Sequence, residues 1–236
     1  MLIFGVNFNV YFLLYMKKIS QALRCEEMRW YLGIIAAATT LICVNIYDVA
    51  LTFEHNLRNA FFQVSTIITT TGFATDDYMQ WPPYLWMLLS FVMFFGACSG
   101  SSTGAMKCGR VAILAKSIRG EFRRILHPNA VIPVRMDGNP ISQGTRATVL
   151  TFTCLYFLLI LGGWFVFMFL GLDFVEGYSI SVSCVGNIGP ALGTLGPAYS
   201  WSALPESAKW LSALLMLIGR LEIFGFIQLF FLRSWR

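Results

Sequence analysis

The sequence is poor in charged residues and in histidine. Only 12% of its 236 residues are Asp, Glu, Lys or Arg, and it contains two histidines. Soluble domains carry about 25% charged residues, so the composition argues against a soluble globular protein. His55 and His127 both lie in hydrophilic segments, and no His, Cys and Asp residues stand at metal-ligand spacing. We therefore expect neither an enzyme nor a covalently bound cofactor.

Paired cysteines and a nucleic-acid-binding patch are also missing. The six cysteines form no Cys-x-x-Cys pair, and most lie in or beside apolar segments, which favours packing roles. The formal net charge is +5, but the basic residues fall between apolar segments, as in cytoplasmic loops of membrane proteins. The apolar segment 1–16 precedes Lys17 and Lys18, the wrong order for a cleavable signal peptide. No nucleic-acid partner is expected.

The chain is instead rich in apolar segments, since 57% of its residues are hydrophobic. A membrane-spanning helix needs about 20 mostly apolar residues. Predicted spans of that length cover residues 30–49, 148–171 and 208–232. Residues 57–68 and 174–185 predict helices too short to cross, and the apolar segment 84–95 is broken at residue 96. We therefore predict an all-α polytopic membrane protein surrounded by lipid.

A glycine-containing loop follows each short helix. The first reads TTTGFAT over residues 69–75, and the second reads NIGP over residues 187–190. Irregular backbone survives in a membrane only inside protein or along a water-filled path. The loops therefore predict re-entrant pore loops whose carbonyl groups replace the water around a cation. Ordinary extracellular turns are the alternative, because Gly and Pro are common in turns. The candidate filter residues are Thr70, Thr71, Gly72, Phe73, Asn187, Ile188, Gly189 and Pro190.

The order span, short helix, glycine loop, span occurs twice. Trp30 precedes Gly72 by 42 positions, and Thr148 precedes Gly189 by 41, which indicates an internal repeat. Residues 107–146 hold eight basic and two acidic residues, so this segment is predicted to be cytoplasmic. Six of the twelve acidic residues then lie outside, where they either attract cations or keep the loops soluble; they are Asp48, Glu54, Asp76, Asp77, Asp173 and Glu176.

Residues 96–105 form a second unusual stretch, which interrupts an apolar segment. Gly96, Gly100 and Gly104 are spaced by four, a pattern typical of close helix contacts. Three glycines together with Ser99, Ser101, Ser102 and Thr103 nevertheless disfavour a continuous helix. We therefore predict a flexible intramembrane loop that obstructs the pore.

Arg220 stands midway along the predicted span 208–232. A charge at that depth costs about 2.5–3.5 kcal/mol on insertion scales, so it must face protein or water. Glu222 is two residues away and points to a different helix face, which excludes a simple local ion pair. Our interpretation is that Arg220 reaches the pore and contacts carbonyl groups of residues 96–105. The alternative is that Arg220 only links neighbouring helices.

These stretches resemble the Trk/Ktr/HKT superfamily of potassium transporters, most closely its bacterial TrkH type. The matching stretches are residues 69–75, 98–104 with Lys107 and Arg110, 186–193 and 219–224. Residues 5–9 and 26–31 are also similar to that family. The motifs occur in the expected order, and the resemblance covers essentially the whole chain.

The resemblance implies helix–pore loop–helix repeats of the potassium-channel-like type, four of them around one pore. Each repeat contributes a filter glycine, here Gly72 and Gly189. Potassium is then expected at Thr71, Gly72, Ile188 and Gly189. The expected gating residues are Gly96, Ser99, Gly100, Gly104, Lys107 and Arg220.

The resemblance also implies partners and a domain organisation. We expect a homodimer in the bacterial inner membrane, paired with a cytoplasmic nucleotide-binding regulatory subunit of the TrkA/KtrA type. Only repeats three and four are expected, at residues 30–118 and 146–236, joined by a cytoplasmic linker at 119–145. Residues 1–29 are the expected end of a preceding span plus a linker. The expected function is potassium uptake across the plasma membrane through a pore of which this chain forms one half. A non-conducting scaffold, a truncated half-transporter and a sodium-selective member are the alternatives.

Overall fold

In the computed structural model, the structure describes residues 1–46, 52–101, 103–127, 132–221 and 223–230. Its helices are α1 (Leu2–Gly5), α2 (Phe8–Tyr15), α3 (Ile19–Arg24), α4 (Glu26–Asn45), α5 (Phe53–Ile68), α6 (Pro83–Phe94), α7 (Cys108–Leu126), α8 (Gln143–Phe169), α9 (Phe174–Gly186), α10 (Glu206–Arg220) and α11 (Ile223–Phe230). Two short strands, β1 (Arg135–Met136) and β2 (Asn139–Pro140), pair antiparallel. Among the predicted features, Asp48, Ser102 and Glu222 lie outside the described residues.

Helices α4 and α8 are long and apolar enough to cross a membrane. Their most apolar windows are only 39% and 28% buried, whereas the core helix of a soluble protein is mostly buried. The outer face of α8 exposes Leu158, Leu161, Phe165 and Phe169. Large apolar side chains gain free energy when they leave water, so these faces belong against lipid. The predicted polytopic helical membrane fold is confirmed.

The two predicted repeats are visible as two similar groups of helices. In the first, α4 packs against the short helix α5, and α6 and α7 follow; in the second, α8 packs against the short helix α9, and α10 and α11 follow. Helix α9 lies deepest, with buried serines along its length. Ser181 donates to the Ile160 carbonyl of α8 at 2.7 Å, and the missing side chain of Gly163 admits this approach.

Three helix boundaries differ from the sequence-based expectations. Residues 1–16 form two short helices, because Val6 is extended and Asn7 caps α2 through a hydrogen bond from the Asn9 N–H. Helix α7 continues through the predicted boundary at 118 to Leu126, since Arg, Glu and Leu residues favour helix there. The expected span 208–232 is interrupted after α10, which places Arg220 at a helix end rather than within a continuous span.

The predicted cytoplasmic linker folds back onto the helices. Asp137 and Gly138 form the two-residue turn between β1 and β2, both with positive φ (49° and 84°), as a type I′ hairpin requires. The Asp137 carboxylate accepts a hydrogen bond from the Glu26 N–H at 2.7 Å and so caps the start of α4. Lys116 of α7 pairs with the Glu26 carboxylate. The hairpin therefore holds α4 and α7 together.

A second contact, between α7 and α8, gives a pH-dependent prediction. The hydrogen bond from Arg146 of α8 lowers the pKa of the exposed Glu121 carboxyl of α7 below its ordinary value of 4.5. A lowered folded-state pKa contributes stability above the unfolded value, and this is lost as pH falls through the folded value. We expect Glu121→Gln to melt slightly below wild type at pH 7, with the gap closing below pH 4.5. Thermal melts of the detergent-solubilised protein check this; a constant gap at all pH values contradicts it.

Candidate functional site

The first pore loop begins at the C-terminus of α5. The Thr70 N–H donates to the Ile67 carbonyl at 3.0 Å, and the Thr71 N–H donates to the Thr66 carbonyl at 2.9 Å. This pattern ends a helix when one residue takes a left-handed conformation, here Thr70 with φ 49°. Gly72 follows with φ 79°, which a side chain disfavours. The chain therefore leaves the helix sharply and runs extended away from it.

The second pore loop repeats this geometry at the C-terminus of α9. The Asn187 N–H donates to the Cys184 carbonyl at 3.1 Å, and the Ile188 N–H donates to the Ser183 carbonyl at 3.0 Å. Asn187 is left-handed with φ 54°, and Gly189 has φ 115°. Each loop thus places a left-handed residue first and a positive-φ glycine two residues later. The structural match supports the internal repeat that the spacing predicts.

The two loops lie directly against each other. A Cβ atom built on Gly72 would stand 2.4 Å from the Ile188 carbonyl oxygen, and one built on Gly189 would stand 3.7 Å from the Gly72 Cα. Within the described ranges, the carbonyl groups of residues 70–73 and 187–190 accept no backbone hydrogen bond. The C-termini of α5 and α9 add partial negative charge beside them. The loops therefore form a carbonyl-rich site that favours a cation.

The polar side chains of the two pore loops form hydrogen bonds that fix the loops in place. The Thr70 hydroxyl accepts a hydrogen bond from the Gly104 N–H at 3.0 Å, and the Thr71 hydroxyl pairs with Thr69 at 2.8 Å. Asn187 Nδ2 donates to the Met216 carbonyl of α10 at 3.1 Å. The hydroxyl groups of Thr70 and Thr71 are thus engaged in hydrogen bonds within the protein. Phe73 is exposed, whereas Ile188 and Pro190 are buried.

The described residues between α6 and α7, 95–101 and 103–107, are not helical, so the helix-contact alternative for Gly96, Gly100 and Gly104 is wrong. The Gly96 N–H donates to the Met106 carbonyl at 2.7 Å, and the Cys108 N–H donates to the Ala97 carbonyl at 3.0 Å. These bonds close residues 96–107 into a loop, called the intramembrane loop below. The ammonium of Lys107 donates to the Ser101 carbonyl at 3.1 Å and to the Thr103 carbonyl. Its charge thus sits inside the loop.

The intramembrane loop contacts the pore loops through Gly104. Besides the Thr70 hydrogen bond, Gly104 lies so close to α9 that an added Cβ would stand 2.4 Å from the Gly186 carbonyl oxygen. Helix α10 approaches the same place, because a Cβ on Gly219 would stand 2.2 Å from the Val185 carbonyl oxygen. Glycine is therefore required at both positions for the observed packing.

A cavity of about 210 Å³ lies beside the intramembrane loop. It is lined by Ser101, Thr103, Gly104, Lys107, Arg110 and Arg220, among others. Arg220 is the last residue of α10, where the helix dipole favours a positive charge. Arg110 stacks on the Phe152 ring at 3.9 Å. The structure thus brings the predicted gating residues Gly104, Lys107 and Arg220 to one cavity, while Ser99 and Gly100 lie on the opposite side, near Asn7 and Glu27.

Two residues at the site were missed by the sequence analysis. The buried Tyr78 hydroxyl donates to the Ala191 carbonyl at 2.7 Å and so joins the loops of the two repeats. The carboxylate of Glu27, which the sequence placed in a polar linker, accepts from the N–H groups of Ser99 and Gly109. Glu27 lies within residues 26–31, which resemble the family, but no local pattern indicates either contact, so only the tertiary structure shows them.

These elements define a helical membrane protein in which two glycine-containing loops, each at the end of a short helix, contact each other and a third non-helical loop. The sequence profile of the TrkH cation transport protein family matches residues 10–234. The chain therefore belongs to this family.

Named relatives show the same similarity. The chain is 33% identical to the Trk system potassium uptake protein TrkH of Salmonella typhimurium over 100% of its own length and 49% of that protein. It is 36% identical to TrkI of Halomonas elongata over 77% of its length and 37% of that protein. The crystal structure of the potassium transporter TrkH from Vibrio parahaemolyticus matches with a TM-score of 0.89 and 28% identity, over 100% of this chain and 51% of that one. The chain spans about half the length of these relatives.

Proposed function

We propose that the chain supplies two of the four walls of a potassium uptake pore. The observation that carries this proposal is the contact between the two pore loops. Gly72 and Gly189 meet with carbonyl groups of both loops unpaired in the described ranges. Such carbonyl groups replace the hydration shell of K⁺ in selectivity filters. Thr71, Gly72, Ile188 and Gly189 are the proposed ion ligands, with Thr70, Phe73, Asn187 and Pro190 completing the filter.

The outer mouth of the proposed pore is acidic. Asp76 and Asp77 line a cavity of about 200 Å³ together with Pro197 and Ala198 of the second loop. Asp76 is held in place by hydrogen bonds from Asn59 and Gln63 of α5, each at 2.9 Å. Fixed negative charge at a narrow entrance raises the local concentration of cations. The mouth therefore supports cation uptake rather than anion transport.

The intramembrane loop is the proposed gate. It lies against the cytoplasmic end of the filter, through Gly104, and carries the Lys107 ammonium. Arg110 and Arg220 add further positive charges to the same cavity. Positive charges on the cytoplasmic side of a filter oppose the passage of a cation. Conduction then requires that the loop, with Gly96, Ser99, Gly100 and Gly104, moves away from this place.

Completion of the pore requires two more repeats. The relatives named above are about twice as long, so these repeats come either from a preceding part of the protein or from a second copy of the chain. We further propose a homodimer in the bacterial inner membrane, and regulation by a cytoplasmic nucleotide-binding subunit of the TrkA/KtrA type. Potassium is the proposed transported ion.

Uptake of Rb⁺ tests the proposal. Bacteria that lack their own K⁺ uptake express either the chain or the same chain extended upstream along its own gene. Each form is compared with its Gly189→Asp variant. We expect uptake by at least one form, and loss in the variant at equal membrane abundance, because a carboxylate side chain at φ 115° disrupts the filter. Gly171→Asp is the matched control, since Gly171 also has positive φ (89°) but no neighbour within 4 Å.

Each outcome of the uptake experiment has a distinct meaning. Uptake by the extended form alone means that the chain is one half of a single-chain pore, and uptake by the short form means that two copies assemble. Higher uptake of Na⁺ than of Rb⁺ identifies sodium, rather than potassium, as the transported ion. Absence of uptake in every form contradicts the transporter proposal and leaves a non-conducting scaffold.

A further inference from the structure

A buried carboxylate stands at the base of the intramembrane loop. Glu27, on the first turn of α4, is 6% exposed. Its Oε1 atom accepts hydrogen bonds from the Ser99 N–H at 2.5 Å and from the Gly109 N–H at 2.9 Å. Its Oε2 atom accepts from Asn7 Nδ2 at 3.3 Å. One side chain thus joins three separate segments of the chain.

The two backbone donors lie on opposite sides of the loop. Ser99 lies in its first arm, and Gly109 lies on the first turn of α7, just beyond its second arm. The two arms are also bonded to each other, because the Cys108 N–H donates to the Ala97 carbonyl. Glu27 therefore holds the point where the loop leaves and rejoins the membrane helices. Its negative charge is also favoured by the N-terminus of α7.

The residues around Glu27 leave space for its carboxylate. A Cβ atom on Gly109 would stand 2.7 Å from Glu27 Oε1, so only glycine fits there without displacement. Asn7 in turn faces Gly100, with its Oδ1 atom 3.3 Å from the place of a Cβ on that glycine. The Cys98 N–H donates to the Gly5 carbonyl at 2.9 Å. The segment 5–7 and Glu27 thus form one continuous support under the first arm.

We propose that Glu27 is a positioning residue that anchors both arms of the intramembrane loop. It does not touch the ion path but fixes the loop from which Gly104 contacts the filter. The gating consequence of this anchor rests on the proposed function, whereas the anchoring itself does not. Removal of the carboxylate leaves two buried N–H groups without an acceptor, which favours opening of the loop base.

Thiol labelling tests the anchor without any transport assay. Cys98 and Cys108 flank the anchor and are fully buried, and Cys184 is fully buried on α9, away from the loop base. Cys25, partly exposed at the start of α4, reports the reagent. Membranes with wild type, Glu27→Ala, Glu27→Gln or Glu26→Ala are treated with N-ethylmaleimide, and peptide mass spectrometry follows each site. Glu26→Ala is the matched control because it removes a carboxylate of the same helix turn, which pairs with Lys116, but none of the hydrogen bonds to Ser99, Gly109 or Asn7.

In Glu27→Ala we expect Cys98 and Cys108 to react about tenfold faster, as the loss of one buried hydrogen-bond acceptor predicts. Cys184 should stay protected, and Glu26→Ala should match wild type. Glu27→Gln keeps an amide oxygen that accepts from both N–H groups, so it should restore most of the protection. Unchanged labelling in Glu27→Ala overturns the proposal. Equal acceleration at Cys184, or glutamine as reactive as alanine, also overturns it, because the effect is then global or due to charge alone.

A flux measurement then separates this inference from the proposed function. In the form of the protein that conducts, Glu27→Ala should raise Rb⁺ leak in the absence of any cytoplasmic partner, with the K⁺/Na⁺ preference unchanged. If Cys98 and Cys108 react faster but the Rb⁺ leak is unchanged, Glu27 anchors the loop without controlling gating. The proposal that the chain forms part of a pore is unaffected by that result. Loss of flux only in the Gly189→Asp variant still supports the pore. The inference about Glu27 and the proposed pore function can therefore be contradicted independently of each other.

Discussion

Gly72→Ala is expected to abolish Rb⁺ flux while the protein still reaches the membrane. The new Cβ would stand 2.4 Å from the Ile188 carbonyl oxygen, and this neighbour is backbone, which cannot rotate away. The substitution also forces a side chain into a φ of 79°, which costs about 1–2 kcal/mol for L-residues. Both effects displace the carbonyl groups of the two pore loops. Flux and membrane abundance are measured together.

Gly138→Ala is the matched control for Gly72→Ala. Gly138 has nearly the same backbone angle, φ 84°, but lies in the hairpin between β1 and β2 with no neighbour within 4 Å of an added Cβ. It should therefore show the conformational cost alone and retain flux. If Gly72→Ala conducts as well as Gly138→Ala at equal abundance, the contact between the loops is not part of the ion path.

Gly104→Ala is expected to raise the resting Rb⁺ leak about tenfold. Its Cβ would stand 2.4 Å from the Gly186 carbonyl oxygen and 3.0 Å from Asn187 Cβ. The intramembrane loop must therefore move away from the filter and lose the hydrogen bond from the Gly104 N–H to the Thr70 hydroxyl. Loss of a buried hydrogen bond shifts an equilibrium by about that factor. Flux from proteoliposomes without a cytoplasmic partner measures the leak.

Two Thr70 variants isolate the hydrogen bond from the steric effect. Thr70→Val keeps the side-chain shape but removes the acceptor, so it should raise the leak in the same direction as Gly104→Ala. Thr70→Ser keeps the hydroxyl and should behave as wild type. Gly162→Ala, at a helical glycine with open space around it, controls for an added methyl group. An unchanged leak in both Gly104→Ala and Thr70→Val contradicts the role of the loop as a gate.

The positions of the two glycine-containing loops were predictable from the sequence because their physical signal is local. Thr and Gly residues in an apolar chain mark backbone that cannot be helical, and α5 ends at Ile68, directly before the predicted loop. The same reasoning predicted the non-helical stretch at residues 96–105, which the structure extends to Lys107. The repeat was visible because both loops stand at nearly equal spacing after a long apolar segment.

The remaining features depend on contacts between distant residues. The Thr70 hydroxyl meets Gly104, which is 34 positions away, and Glu27 meets Gly109, which is 82 positions away. No local pattern encodes such pairs. The break after Arg220 was also missed, because residues 208–232 are mostly apolar despite Lys209, Arg220 and Glu222, and their length suits a membrane-spanning helix. Close approach of α10 to Val185 and Asn187 is visible only in the fold.

The most direct test of the central claim is anomalous diffraction from crystals of the conducting form grown in Rb⁺. The account predicts Rb⁺ bound by carbonyl oxygen atoms of Thr71, Gly72, Ile188 and Gly189, and displaced when K⁺ replaces Rb⁺. The same crystals of the Gly72→Ala variant should lack this ion. Rb⁺ bound only elsewhere, or retained between the loops of the Gly72→Ala variant, would contradict the claim that these two loops form the selectivity filter.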